Sequence, residues 1–530
     1  MISSRSFLKH AAIYGLAGML VQAGGFVLLP LYTSCLSPSD YGVLEILGRM
    51  ADTVGTILMF GGFRQALLTF YQQSKCESER RQVVATTMSL FGTTILLGGG
   101  VVMVFAEPLS QLLNHFTHAE DGRIGPQLFR LALLAILLEP LSQVPLTLLQ
   151  ARVESVRFVT ITISQFLLRI VLCVLFVKYL RGGVAGALGS SAFVAALFGL
   201  GLCGRETLRS PGLPTLHHLR GLLRFALPLV PGGLCFFMLH HGDRFFLLRC
   251  RDLHEVGTYA LGYKLALGVV MFSVSPLYMV WSSQMYRVAE RDDAAEVFGA
   301  ANTRILTAYV FVALALALFQ DEIVLMLGGA PYSDAAAVVA PVLLAYFFQS
   351  ASSLMDAGLY VRHRTGLKLG ITLATTTVML SMYALLIPRY GGMGAALATM
   401  IGFIFLAVST WAVSRSVFPV RHEWRRLTGL LGVAIGLWSL SRFLPQTTWV
   451  WPIKAGMWLT CPIVLWAAGF MSRRETELVR ALTEAIVQWF DRVAWSRGYR
   501  VSTLAATALP NDRGNNRTQP DSFGRVALNK

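Results

Sequence analysis

The chain's strongest constraint is a succession of apolar stretches, each about twenty residues long, separated by short polar loops. Spans are expected near 11–33, 42–63, 83–106, 127–150, 157–179, 183–204, 222–248, 257–283, 303–327, 335–358, 367–388, 391–414, 427–444 and 449–471. Hydrocarbon offers no hydrogen-bond partners, so a chain crosses it as helices or as a closed barrel. A barrel would show shorter, alternating segments. The chain is 55% hydrophobic and only 14% charged, whereas soluble domains carry about 25% charged residues. The expected fold class is all-α integral membrane, with about fourteen transmembrane helices. These form two parallel-repeat six-helix bundles around a central cavity, plus a C-terminal helix pair.

Loop charges orient the spans. With the N-terminus inside, the inner segments before the tail carry 22 Lys and Arg and the outer loops carry 8. That bias predicts cytoplasmic N- and C-termini. It also explains the net charge of +16 without nucleic acid as a partner. Outer loops are short, which leaves no room for a soluble catalytic domain. No P-loop, nucleophile elbow or metal-ligand spacing occurs, so no catalytic residue, metal or bound cofactor is expected and the chain is not read as an enzyme. The first apolar run continues to Tyr32, too long for a cleaved signal core. The thiols Cys35 and Cys250, at matching outer ends, are expected unpaired. Trp438, Trp449, Trp451, Trp458 and Trp466 are expected mostly in the interfacial belt.

The expected organisation is a six-helix lobe over 1–204 and a cytoplasmic linker over 205–221 that holds Pro211 and Pro214. A second six-helix lobe follows over 222–417, then two further spans over 427–471. An interfacial amphipathic helix is expected over 473–497 and a disordered cytoplasmic tail over 502–530. A repeat underlies the two lobes. A shift of 215 residues lays Asp40-Tyr41-Gly42 on Glu255-Val256-Gly257 and Arg49 on Lys264. A shift of 208 lays Gly183-Val184-Ala185-Gly186-Ala187 on Gly391-Gly392-Met393-Gly394-Ala395. An even number of spans per repeat makes it parallel, a plan in which substrate sits between rocking halves.

A charge at a helix centre costs about 2.5–3.5 kcal/mol on insertion scales, so such residues are informative. Glu45, Arg49 and Asp52 stand at i, i+4 and i+7 of the second span, on one face. One reading is a basic cavity for an anion, with Arg49 and Lys264 facing each other across the halves; guanidinium forks suit phosphate. The other is a structural ion pair of Glu45 with Arg49. Arg169 and Arg244 are further candidates for the anion, or snorkel to an interface. Glu45, Asp52, Asp356 and Glu139 are candidates for ion coupling or structural pairing, the former drawing on a proton or sodium gradient. His240 and His241 are expected as a buried, hydrogen-bonded pair.

The N-terminus carries a resemblance. Phe7-Leu8-Lys9, Tyr14-Gly15, Leu28-Leu29-Pro30-Leu31-Tyr32-Thr33 and Leu36-Ser37-Pro38-Ser39-Asp40-Tyr41-Gly42 resemble the opening of bacterial polysaccharide-biosynthesis flippases. These are the Wzx-like oligosaccharide exporters of the multidrug/oligosaccharidyl-lipid/polysaccharide superfamily. The glycine-rich segments Arg181–Leu188 and Arg389–Leu397 resemble the family's sixth and twelfth helix starts. The resemblance implies a V-shaped pair of bundles in the bacterial inner membrane. It implies transfer of undecaprenyl-diphosphate-linked oligosaccharide from the cytoplasmic to the periplasmic leaflet, for O-antigen, capsule or exopolysaccharide. The implied partners are that lipid-linked oligosaccharide, membrane lipids, a polysaccharide polymerase and glycosyltransferases. Basic residues of the second and eighth helices line the cavity in such flippases, and Arg49 and Lys264 stand in those helices. Glu45 and Asp52 depart from a purely basic cavity. They keep a cation-coupled multidrug antiporter as an alternative, beside a membrane scaffold or polymerase of polysaccharide assembly.

Overall fold

Regular structure is helical throughout the residues described by the computed structural model, which are 25–58, 60–117, 124–209, 211–444 and 450–467. The first half comprises α1 (Leu29–Cys35), α2 (Pro38–Ile57), α3 (Phe60–Gln73), α4 (Glu77–Thr93), α5 (Gly99–Val104), α6 (Ala106–Thr117), α7 (Pro126–Ala151), α8 (Ser155–Cys173) and α9 (Gly183–Arg209). The second comprises α10 (Leu216–Ala226), α11 (Leu229–Cys250), α12 (Leu253–Val269), α13 (Ser275–Val288), α14 (Ala294–Leu318), α15 (Gln320–Gly328), α16 (Ala335–Met355), α17 (Ala357–Val361) and α18 (Thr365–Val417). α19 (Trp424–Ser441) and α20 (Val450–Ala467) follow. Among the described residues, nine helices, taken with their continuations, are long and apolar enough to cross a membrane. The chain is a multi-pass membrane protein.

Local chemistry explains the motif at residues 36–42. Ser37 Oγ accepts the Asp40 N–H at 3.2 Å and Asp40 Oδ2 accepts the Ser37 N–H at 3.3 Å. This capping box starts α2, with Pro38 in the first turn, where a missing N–H costs no bond. At the matching place Asp252 caps α12 by accepting the Glu255 N–H at 2.8 Å. The repeat is visible in the backbone. Gly183 has φ +53° and Gly391 has φ +55°, the left-handed region that glycine enters without strain. Gly391 is where α18 bends between two crossings. Gly42 and Gly257 pack on one another's helices: a Cβ on Gly42 would strike the Leu253 carbonyl, and one on Gly257 the Pro38 carbonyl. Equivalent residues thus let α2 and α12 cross backbone to backbone.

That crossing joins the halves at the Cys35/Cys250 end, where Tyr332 Oη also donates to the Leu36 carbonyl at 3.0 Å. Cys35 and Cys250 are free thiols. At the opposite end α10 packs on α3 and α4, and Ala226 joins a core of Phe63, Leu67, Tyr71, Val83, Val84 and Phe91.

Two expectations are corrected. The second span is two helices, α2 and α3, separated at Leu58. The ninth begins at Ala294 rather than 303 and ends at Leu318. Its apolar continuation is the separate α15, whose Asp321 and Glu322 pair with Arg442 at 2.9 Å and Lys454 at 2.6 Å. The break falls at Phe319, whose backbone leaves helical geometry (φ −102°, ψ 16°). Trp458 packs on α14: its Nε1–H donates to the Phe311 carbonyl at 2.9 Å, and the two rings stack at 4.6 Å. The segment expected as linker is helical at both ends, to Arg209 and from Leu216. The amphipathic helix over 473–497, the tail over 502–530 and most of the first span lie outside the described residues.

Candidate functional site: a charged cavity in the first half

α7 and α8 are apolar helices that each carry one polar stripe. On α7 the stripe is Glu139, Gln143, Thr147 and Gln150, at steps of three and four. On α8 it is Thr162, Gln165 and Arg169. In lipid such stripes need a polar surface to face. Here both face a cavity of about 650 Å3, walled also by α2 and α9. Among the described residues, only Lys264, Leu267 and Met271 come to its lining from the second half. Its ionisable walls are Glu45, Asp52 and Glu139 against Arg49, Arg64, Arg169 and Lys264. The lining is mixed in charge, with a small positive excess.

Glu45 organises this charge. Its Oε2 lies 2.8 Å from Lys264 Nζ, and its Oε1 lies 3.2 Å from Arg49 Nε and 3.4 Å from Arg244 Nε. Arg49 also reaches Asp52 at 2.8 Å and His241 Nε2 at 3.3 Å. Lys264 donates to Tyr41 Oη at 2.8 Å. Arg49 and Lys264 therefore meet on one carboxylate instead of facing each other free across a gap. Both readings of Arg49 hold geometrically: it is an ion-pair partner of Glu45, and it lines the cavity.

Arg244 is corrected from both of its expected places. It neither snorkels nor lines the cavity, being 1% exposed. Asp243 Oδ1 accepts from its Nη1 at 2.7 Å, and its guanidinium carbon sits 4.1 Å from the Tyr263 ring centre and 5.5 Å from that of Tyr259. A buried carboxylate and two aromatic faces suffice to hold a cation there. Asp356 is likewise away from the cavity, paired with Lys368 at 2.7 Å. Glu139 opens onto the cavity and makes no ion pair among the described residues. The same holds for Arg169. His240 and His241 lie against Phe236 and Phe237, ring centres 4.4 and 5.3 Å apart and planes tilted by 52° and 53°.

Arg64 stands one residue beyond the second expected span, among the 22 inner charges that set topology, yet it lies in α3 and lines the cavity without an ion pair among the described residues. The signal for it was available: the helix of the second span does not stop at residue 63. Sequence spacing carries no sign that Tyr41 accepts from Lys264 or that His241 lies beside Arg49. The arrangement offers an anion two cations without carboxylates, Arg64 and Arg169, and two cations already shared with Glu45. Around them, glutamines and threonines offer the neutral hydrogen bonds that sugar hydroxyls take.

Comparison with known proteins agrees with this architecture. Residues 7–282, just over half the chain, match the family model of "Polysaccharide biosynthesis protein". No curated protein matches the chain. Among solved structures, the lipid II flippase MurJ in an inward closed conformation superposes with TM-score 0.71 at 13% identity, covering 87% of this chain and 99% of that one. An inward-facing multidrug resistance MATE transporter of the MOP superfamily gives TM-score 0.63 at 14% identity, covering 78% and 96%. A MOP superfamily transporter from Pyrococcus furiosus, titled for the reverse polarity of its binding pocket, gives 0.53 at 13% identity, covering 77% and 95%. By its match over residues 7–282, the chain belongs to the polysaccharide biosynthesis protein family.

Proposed function

We propose that this protein is a flippase that carries undecaprenyl-diphosphate-linked oligosaccharide from the cytoplasmic to the periplasmic leaflet of a bacterial inner membrane, with both termini cytoplasmic. The observation that carries the reading is the cavity: too polar for lipid and lined by four cations with amide and hydroxyl side chains between them. Its diphosphate sits against Arg169, Arg64, Arg49 and Lys264, and its sugars against the glutamine and threonine stripes. The polyprenyl tail stays in the bilayer. Arg244, held by Asp243, supports Glu45 from behind and does not touch substrate. No bond is made or broken; the halves rock about the Gly42/Gly257 crossing. Glu139 and Asp52 are the cavity carboxylates through which a proton or sodium gradient acts. Glycosyltransferases supply the substrate, and the flipped product feeds a polymerase.

The test is a flip assay in proteoliposomes with fluorescent undecaprenyl-diphosphate oligosaccharide, comparing wild type with Arg64→Ala and Arg169→Ala. Flipping by wild type and its loss in well-folded variants supports the site. Wild type that moves no lipid-linked sugar, but expels organic cations against a proton gradient, replaces the flippase with an antiporter.

A further inference from the structure

Glu45 is in an unusual position for a residue of an anion site. It is only 4% exposed, it belongs to the first half, and its two oxygens meet three cations. Two of these, Lys264 and Arg244, come from the second half. Arg49 and Lys264 remain 23% and 30% exposed, on the cavity side. Arg244 is held by Asp243 from beneath. An anion entering the cavity therefore reaches Arg49 and Lys264 but finds a carboxylate already on both.

We propose that Glu45 is a built-in competitor for Arg49 and Lys264, and that this competition sets the minimum charge of the head group the protein accepts. The inference rests on the flippase reading and deepens it. A head group with a single negative charge, such as a lipid-linked sugar phosphodiester, is satisfied at Arg64 or Arg169, which hold no carboxylate. It has nothing left with which to displace Glu45. A diphosphate carries a second charge a few ångströms from the first. That second phosphate exchanges with Glu45 on Arg49 and Lys264, leaving Glu45 on the buried Arg244. The exchange is purely ionic and moves no proton. It also releases the Glu45–Lys264 contact, one of the polar ties between the halves, so only an accepted head group loosens them. Glu45 is thus a specificity-determining residue that acts by occupying the site.

The experiment measures binding to the full-length protein in lipid nanodiscs of two probes bearing the same sugar and polyprenyl chain. One probe is linked through a single phosphate and the other through a diphosphate. Wild type is expected to prefer the diphosphate by about tenfold or more. In Glu45→Gln the monophosphate probe gains about tenfold while the diphosphate probe changes less, so the preference collapses. Glu45→Asp, which keeps the charge, retains it. Because Glu45→Gln leaves three cations without their shared carboxylate, folding is checked by thermal midpoint. Lys264→Met serves as the second variant: it lowers diphosphate affinity toward the monophosphate value. An unchanged preference in folded Glu45→Gln, or an unchanged diphosphate affinity in Lys264→Met, overturns the exchange while leaving the flippase standing. Wild type that binds neither probe overturns both.

Discussion

The two halves share a plan and differ in what fills it. The first half encloses a cavity lined by polar stripes on α7 and α8. The corresponding interior of the second half is packed with aromatic rings. Tyr259, Tyr263, Tyr346, Tyr383 and Phe403 are each at most 3% exposed, with Tyr263 and Tyr346 meeting at 5.5 Å and Tyr346 and Phe403 at 6.1 Å. Charge follows the same division. In the first half Glu139, Arg64 and Arg169 face the cavity without ion pairs among the described residues. In the second, Asp243 and Arg244 are sealed, and Tyr259 Oη donates to Asp243 at 2.6 Å. A repeat preserves the backbone contacts that make two bundles fit, Gly42 on Gly257 and the bends at Gly183 and Gly391. Side chains are under no such constraint, so one half becomes a container and the other a solid wall against which it moves.

The comparison breaks most easily at the shared contact. Gly257→Val places two methyl groups where the Pro38 carbonyl lies. Overpacked cores lose about 1–3 kcal/mol, and here backbone is the obstacle, so transport is expected below about a tenth of wild type. The flip assay reads this directly, and normal transport would mean that α2 and α12 separate in the working protein. Next in size is Arg244→Leu. It leaves Asp243 buried without its cation, with the residue-244 N–H and Tyr259 Oη as its remaining donors, a change that costs about 3–5 kcal/mol. A thermal unfolding midpoint lowered to match is the expected result. Arg169→Ala is its counterpart in the first half: the midpoint stays near wild type, because the residue makes no ion pair among the described residues. Flipping falls about tenfold, as when one charge-assisted contact is lost. If Arg169→Ala unfolds the protein and Arg244→Leu only slows it, the division between container and wall is wrong.

A smaller effect follows for Tyr259→Phe. Asp243 keeps Arg244 but loses a 2.6 Å donor, a loss of about 1–3 kcal/mol for a buried acceptor left short. The ring remains against Arg244, so the packing of the wall persists. Transport rate per folded molecule should not change. A fall in rate at equal folded fraction would place substrate contacts in the second half.

How much of this was legible in the sequence depends on which interactions are local. Helix-length apolar runs, the capping residues Ser37 and Asp40, and the repeat glycines act over a few residues, so the fold class and repeat could be read from sequence alone. The face shared by Glu45, Arg49 and Asp52 was equally plain from their spacing. What the spacing cannot carry is the partner across the chain. Nothing near Glu45 in sequence announces Lys264 or Arg244, so its place as a hub emerged only from the crossing of α2 with α11 and α12. Arg64 was misread because a cation beyond an expected span end looks like a topology charge. The polar stripes on α7 and α8 were present as three- and four-residue steps, but single Gln and Thr residues are inexpensive in lipid and draw little notice. The break before α15 was hidden because Ile323 to Leu327 continues the apolar run, while the cations that hold Asp321 and Glu322 lie more than a hundred residues away.

The least disruptive change expected lies in the last helix pair and asks whether a third region belongs to the container or the wall. α20 meets α14 through Trp458 and Phe311, far from any cavity-lining residue in sequence and absent from the lining itself. Trp458→Phe removes the Nε1–H donor while keeping a ring to stack on Phe311. The Phe311 carbonyl is already the acceptor of a helical bond, so what is lost is one neutral hydrogen bond, about 1 kcal/mol. The midpoint should fall slightly, and flipping should stay within about twofold of wild type, since no substrate contact and no tie between the halves is touched. α19 and α20 are attached to the second half by Asp321–Arg442 and Glu322–Lys454, so they ride with the wall. A Trp458→Phe protein that keeps its midpoint but loses transport would show that the last pair takes part in the movement of the halves, and the two-part division would become three.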